Sequence, residues 1–123
     1  MPDTPAQTSI TLDFKHDTLR IHKATLDYLG NPGHILLFGN PDKIALFVLR
    51  DDGSDCDSID VAPYMRGKSV ELRSSLYMQR WLSWNDALKG DRTYRIYGKK
   101  SEIQDVVQFN LAEAVELAKW VPV

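Results

Sequence analysis

Apolar and polar residues alternate at Ile10, Leu12 and Phe14 and again at Leu19 and Ile21, with Lys15-His16-Asp17-Thr18 between the two runs. Side chains of a strand point to opposite faces in turn, so this pattern predicts a β-hairpin. Leu26 and Leu29 then fall three apart in Ala24–Leu29, before Gly30 and Asn31-Pro32-Gly33. That spacing predicts a short helix closed by a left-handed glycine. His34–Phe38 and Lys43–Arg50 are rich in β-formers and flank Gly39-Asn40-Pro41-Asp42, which predicts an antiparallel pair. The second of these strands is apolar at every position from Ile44 to Leu49, the pattern of a central strand covered on both faces.

The second half offers a short strand at Ile59–Ala62 and a half-buried one at Ser69–Ser74. A helix is expected over Leu76–Trp84, where Tyr77/Trp81 and Met78/Leu82 are i,i+4 pairs and Ser74 or Ser75 can cap. Strands are expected at Thr93–Tyr97 and about Gln104–Phe109. A last helix is expected from Asn110 (N-cap) and Glu113 (N3), with Leu111, Ala114, Val115 and Ala118 as its apolar stripe. Element order therefore repeats as strand-helix-strand-strand over residues 19–50 and 69–109. The expectation is an α+β fold, two βαββ-like units forming mainly antiparallel sheet with a C-terminal helix. Residues 1–8 read as a flexible tail and residues 9–123 as one globular domain.

The chain has 123 residues, 43% of them hydrophobic, and that length suffices to bury a core without disulfides or structural metal. A single cysteine, Cys56, excludes an internal disulfide and favours a reducing compartment, so the expected location is cytoplasmic. The longest nearly apolar run, Ile44–Leu49, is far short of the ~20 residues a membrane helix needs.

A net charge of −2 hides a polarity along the chain. Asp51, Asp52, Asp55, Asp57 and Asp60 lie in a stretch without Lys or Arg, a local −5. From Ala62 to Lys100, nine bases (Arg66, Lys68, Arg73, Arg80, Lys89, Arg92, Arg95, Lys99, Lys100) face three acids (Glu71, Asp86, Asp91), a local +6. The acidic run does not follow a calcium-loop spacing: counted from Asp55, the twelfth position is Arg66, where a carboxylate is needed. Acids surround Cys56, which makes it a poor nucleophile. His16, His22 and His34 have neither ligand spacing nor a neighbouring nucleophile, and no Gly-x-Ser-x-Gly elbow is present. No enzyme, metal or cofactor is expected, and no small-molecule ligand is identifiable. Tyr77, Trp81, Trp84, Tyr94 and Tyr97 interleave with the bases, as in surfaces that stack on nucleic acid.

Leu19–Gly30, Gly33–Leu37 and Lys43–Leu46 resemble the AbrB/SpoVT-like, MraZ-like swapped-hairpin family. Ile21 and Lys23 match its Ile-x-Lys strand, Leu26, Leu29 and Gly30 its short helix, and Gly33 its turn; His22 stands where that family usually has Pro. The second half lacks the Ile-x-Lys and Leu-Gly marks. The resemblance implies a dimeric, cytoplasmic DNA-binding regulator in which Arg20 and Lys23, and more weakly Lys15, face DNA. Together with the basic segment, the expected nucleic-acid contacts are Arg20, Lys23, Arg73, Arg80, Arg92, Arg95, Lys99 and Lys100. The alternative is a protein-interaction or self-associating accessory module built on the exposed strands and the aromatic cluster.

Overall fold

The computed structural model describes residues 7–101 and 105–117. Ten strands alternate with two short helices: β1 (Ser9–Asp13), β2 (Thr18–Ile21), α1 (Lys23–Tyr28), β3 (His34–Asn40), β4 (Ala45–Asp51), β5 (Ile59–Asp60), β6 (Met65–Arg66), β7 (Ser69–Arg73), α2 (Ser75–Ser83), β8 (Thr93–Lys100), β9 (Val106–Asn110) and β10 (Val115–Glu116). The expected hairpins form, β1 with β2 and β3 with β4, and α2 starts where Ser74 Oγ accepts from the Tyr77 N–H. Gly30 closes α1 with φ 79°, a conformation other residues adopt only at a cost.

The class is mainly β and not α+β. Every pairing is antiparallel, and the strand order is β5-β3-β4-β9-β8-β1-β2-β7-β6, with β10 on β8. Both halves keep the order strand-helix-strand-strand, yet they do not fold as separate βαββ units. Instead, β2 pairs with β7 and β4 with β9, so each half supplies strands to the same curled sheet. Residues 59–66 supply both ends of the path: β5 pairs with β3, and β6 with β7. A 3-10 turn, Ala62–Tyr64, makes the corner between them.

The expected C-terminal helix is also corrected. Asn110 does cap, with its side chain accepting from the Ala112 N–H, but the turn it starts is a 3-10 turn of three residues, Leu111–Glu113. Leu111 is fully buried and its N–H donates to the Ile44 carbonyl. The chain then resumes pairing with β8 at Val115↔Arg95, and the Leu117 N–H donates to Thr93 O. Pairing along β8 satisfies edge groups that a helix would have left open. Ala118, the last residue of the expected stripe, lies outside the described residues, as do residues 1–6 of the expected tail. Thr8 is buried and its carbonyl accepts from the Gly98 N–H.

One face of the sheet forms the core. Ile10, Leu12, Leu19, Ile21, Leu46, Val48, Val70, Tyr94, Ile96, Val107 and Phe109 are buried there, and Leu26, Leu29, Met78 and Trp81 of the helical segments pack against them. Thr25 ties α1 to β1, its hydroxyl donating to Ser9 O and accepting from Ser9 N. Among the described residues no helix is long and apolar enough to cross a membrane.

Candidate interaction groove

The eight expected nucleic-acid contacts are spread over the molecule. Arg20, Arg73, Arg95 and Lys99 alternate with core residues and so share the outer face of the sheet, Arg20 and Arg95 flanking Thr11 on neighbouring strands. Lys23 starts α1, Lys100 lies 4.9 Å from the ring centroid of Tyr28 at that helix, and Arg80 is on α2, over the ring of Tyr77. Among the described residues, four of the eight meet carboxylates: Arg20 with Glu71, Lys23 with Asp27, Arg92 with Asp91 and Glu116, and Lys99 with Glu113. Exposed pairs of this kind contribute little to stability, but they lower the net positive field that a phosphate would meet.

The expected aromatic cluster divides. Tyr94 is buried, edge-on to Phe14, and its hydroxyl accepts from the Lys89 N–H. Tyr97 is on the outer face. Tyr77 and Trp81 stack with ring centroids 5.9 Å apart, and with Trp84 they line a groove against β3. Leu37, Phe38, Gly39 and Pro41 form the opposite wall, with Ile59, Asp57 and Arg80 at the margin. The groove's open volume is about 810 Å³. It shares Leu37, Ile59, Tyr77 and Trp81 with a mainly apolar pocket of about 180 Å³ that Leu19, Tyr64, Leu72 and Met78 also line, with Arg73 and Ser74 as its polar residues. Tyr64, Tyr77 and Phe38 are each more than 40% exposed beside it, which is unusual for three large rings on one small surface.

The wall formed by β3 is also an open strand edge. On one side β3 is paired with β4 along its whole length, from His34↔Asp51 to Asn40↔Ala45. On the other side, only His34 and Ile35 have described partners, in β5. Backbone groups of a strand point to its two sides in turn. The Gly33 carbonyl accepts from the Val61 N–H on the β5 side, so Ile35, Leu37 and Gly39 direct their N–H and C=O groups the same way. That edge, at Leu37 and Gly39, borders the groove, whose other wall carries Trp81 and Trp84.

Sequence reasoning found Tyr77, Trp81 and Trp84 but missed Leu37, Ile59 and Tyr64. The signal was present in the apolar run of β3, whose partner on one side is only two residues long.

Elsewhere, the acidic segment folds as a series of turns. Asp51, Asp52, Asp55 and Asp60 accept backbone N–H groups from Gly53, Ser54, Asp57 and Ala62. The Ser54 side chain and backbone hold the Asp52 carboxyl below its ordinary pKa. Asp55, Cys56 and Asp57 bring one ligand atom each within 4.8 Å of one another, all exposed. His16 pairs with Asp13, and His22 Nε2 is 2.6 Å from Thr11 Oγ1. The chain matches no family model, no curated protein and no solved structure.

Proposed function

We propose that the protein is an interaction module that takes an extended segment of a partner protein into the groove between β3 and α2. The observation behind this reading is the coincidence of a strand edge that is unpaired among the described residues, at Leu37 and Gly39, with an aromatic wall and an apolar pocket. A partner strand laid along β3 would exchange main-chain hydrogen bonds with those two residues, and alternate side chains would point toward the pocket. A 180 Å³ pocket is comparable to the ~150 Å³ cavity that holds a benzene ring, so one aromatic or branched side chain fits as an anchor. Interfaces draw most of their energy from such anchors in desolvated pockets.

The test is a panel of eight-residue peptides in which Phe, Tyr or Leu alternates with Ser and Lys, titrated into the protein and followed by backbone amide NMR. Binding should shift Leu37, Gly39, Tyr77 and Trp81 together, and Tyr77→Ala should weaken it by about tenfold. Shifts confined to other surfaces, or the same affinity in Tyr77→Ala, would overturn the reading.

A DNA-binding regulator is the second reading. Arg20, Arg73 and Arg95 on one sheet face favour it, as does the resemblance over residues 19–50. Titration with duplex DNA at about 50 mM salt, where phosphate contacts are strongest, tests it. Loss of binding in an Arg20→Gln, Arg95→Gln double variant supports it, and absence of binding in the unaltered protein removes it.

A further inference from the structure

Away from the groove, the outer face of the sheet holds a small cleft of about 250 Å³, floored by β8, β1 and β2 and walled by Leu117. Register places its residues in two rows across the three strands. Arg95, Thr11 and Arg20 form one row, and Thr93, Asp13 and Thr18 the other. His22 closes one end, its Nε2 on the Thr11 hydroxyl.

The balance of charge in this cleft is unusual for a surface already rich in ion pairs. Arg20 is engaged by Glu71, and Asp13 accepts from His16 through both its ring and its backbone N–H. Arg95 has no such acid: its Nε is fully buried and has no hydrogen-bond partner among the described residues. A buried guanidinium N–H without an acceptor is costly, and native proteins leave few. Burial, then Arg95 and then Arg20 hold the His22 pKa below its ordinary value, which marks a locally positive field at the cleft's end. Two guanidiniums flank the Thr11 hydroxyl on adjacent strands with the Thr93 hydroxyl beside them, while the Thr18 hydroxyl is already given to the His16 carbonyl; such a set of donors suits the oxygens of a small oxyanion.

We propose that this cleft is a binding site for a phosphate group, free or as the monoester of a small molecule. Arg95 and Arg20 supply the charge, Thr11 and Thr93 donate hydroxyl hydrogen bonds, and His22 gains a proton more readily once the anion is bound. The cleft's volume limits the ligand to something smaller than a typical drug-sized molecule, for which pockets run from about 300 Å³.

Inorganic phosphate is the first probe, titrated at constant ionic strength with chloride as the control and read by amide NMR and by the His22 ring signals. Saturable shifts at Thr11, Thr93 and Arg95, together with a rise in the His22 pKa, are expected. Arg95→Gln should weaken binding at least about tenfold, and Lys43→Gln, far along the chain in the β3–β4 turn, should not change it. Arg20→Gln gives the same test should Arg95→Gln fail to fold, with far-UV circular dichroism as the check. Shifts that do not saturate by about 50 mM phosphate, or affinity in both arginine variants equal to that of the unaltered protein, would overturn the proposal. A parallel titration with duplex DNA separates the sources: DNA binding that needs Arg95 without any response to free phosphate counts against the small-ligand site.

Discussion

The indole ring of Trp84 lies against the backbone of Gly39, so closely that a Cβ at Gly39 would sit 2.5 Å from Cη2 and 2.9 Å from Cζ3. Trp84 follows α2 and Gly39 is in β3, so this contact sets the spacing between the two walls of the groove. Gly39→Ala therefore forces the indole away. The expected cost is about 1–2 kcal/mol of stability, the lower part of the range for overpacking because Trp84 is only half-buried and has room to turn. Thermal unfolding measures the cost, and near-UV circular dichroism of the tryptophans reports the displaced ring. An unchanged aromatic spectrum would show that the two residues are not in contact.

Met78 and Tyr77 are neighbours on α2 with opposite expected roles. Met78 is 1% exposed in the core, so Met78→Ala should lower stability by about 2–4 kcal/mol in urea unfolding. Tyr77 is 47% exposed, and Tyr77→Ala should change stability by no more than about 1 kcal/mol while weakening peptide binding. A loss of stability in Tyr77→Ala as large as that in Met78→Ala would make the ring part of the core.

His22 gives the fold a pH dependence of definite sign. Its folded pKa lies below the 6.5 of the unfolded chain, lowered by burial first and then by Arg95 and Arg20. Below 6.5 the unfolded state takes up a proton that the native state refuses, so stability falls as pH drops from 6.5 to the folded value and then levels off. Asp27 and Asp52 have pKa values lowered from 3.8, so they add stability that is lost only under more acid conditions. Unfolding followed between pH 7 and pH 4.5 covers the histidine range, and the comparison with His22→Gln isolates His22. His22→Gln should flatten that part of the curve, and a slope unchanged by the substitution would assign it elsewhere.

Local signals were the legible part of this fold. The β3–β4 hairpin, the central place of β4, the Ser74 cap and the Gly30 stop all follow from residues within a few positions of one another. What could not be read is long-range. Nothing near Asn110 says that Leu111 will be drawn into the core or that Val115 and Glu116 will complete the edge of β8; a capped, apolar, periodic stretch reads as a helix until that edge is known. The strand expected at Thr93–Tyr97 runs on through Gly98-Lys99-Lys100, past β1, to reach β9. The groove is of the same kind, since Leu37, Ile59, Tyr64, Trp81 and Trp84 come from four separated segments. Of the expected basic contacts, sequence could name the residues but not their acids, because Glu71 meets Arg20 only through the pairing of β2 with β7.

The open edge of β3 is the feature on which the interaction reading depends, and amide hydrogen exchange addresses it residue by residue. In the free protein, Leu36 and Phe38, whose N–H groups point to β4, should exchange slowly, and Leu37 and Gly39 should exchange much faster. A saturating peptide from the alternating panel should then slow Leu37 and Gly39 while leaving Leu36 and Phe38 as they were. Equal protection of all four in the free protein, or peptide binding that leaves Leu37 and Gly39 exchanging at their free rates, would contradict the account.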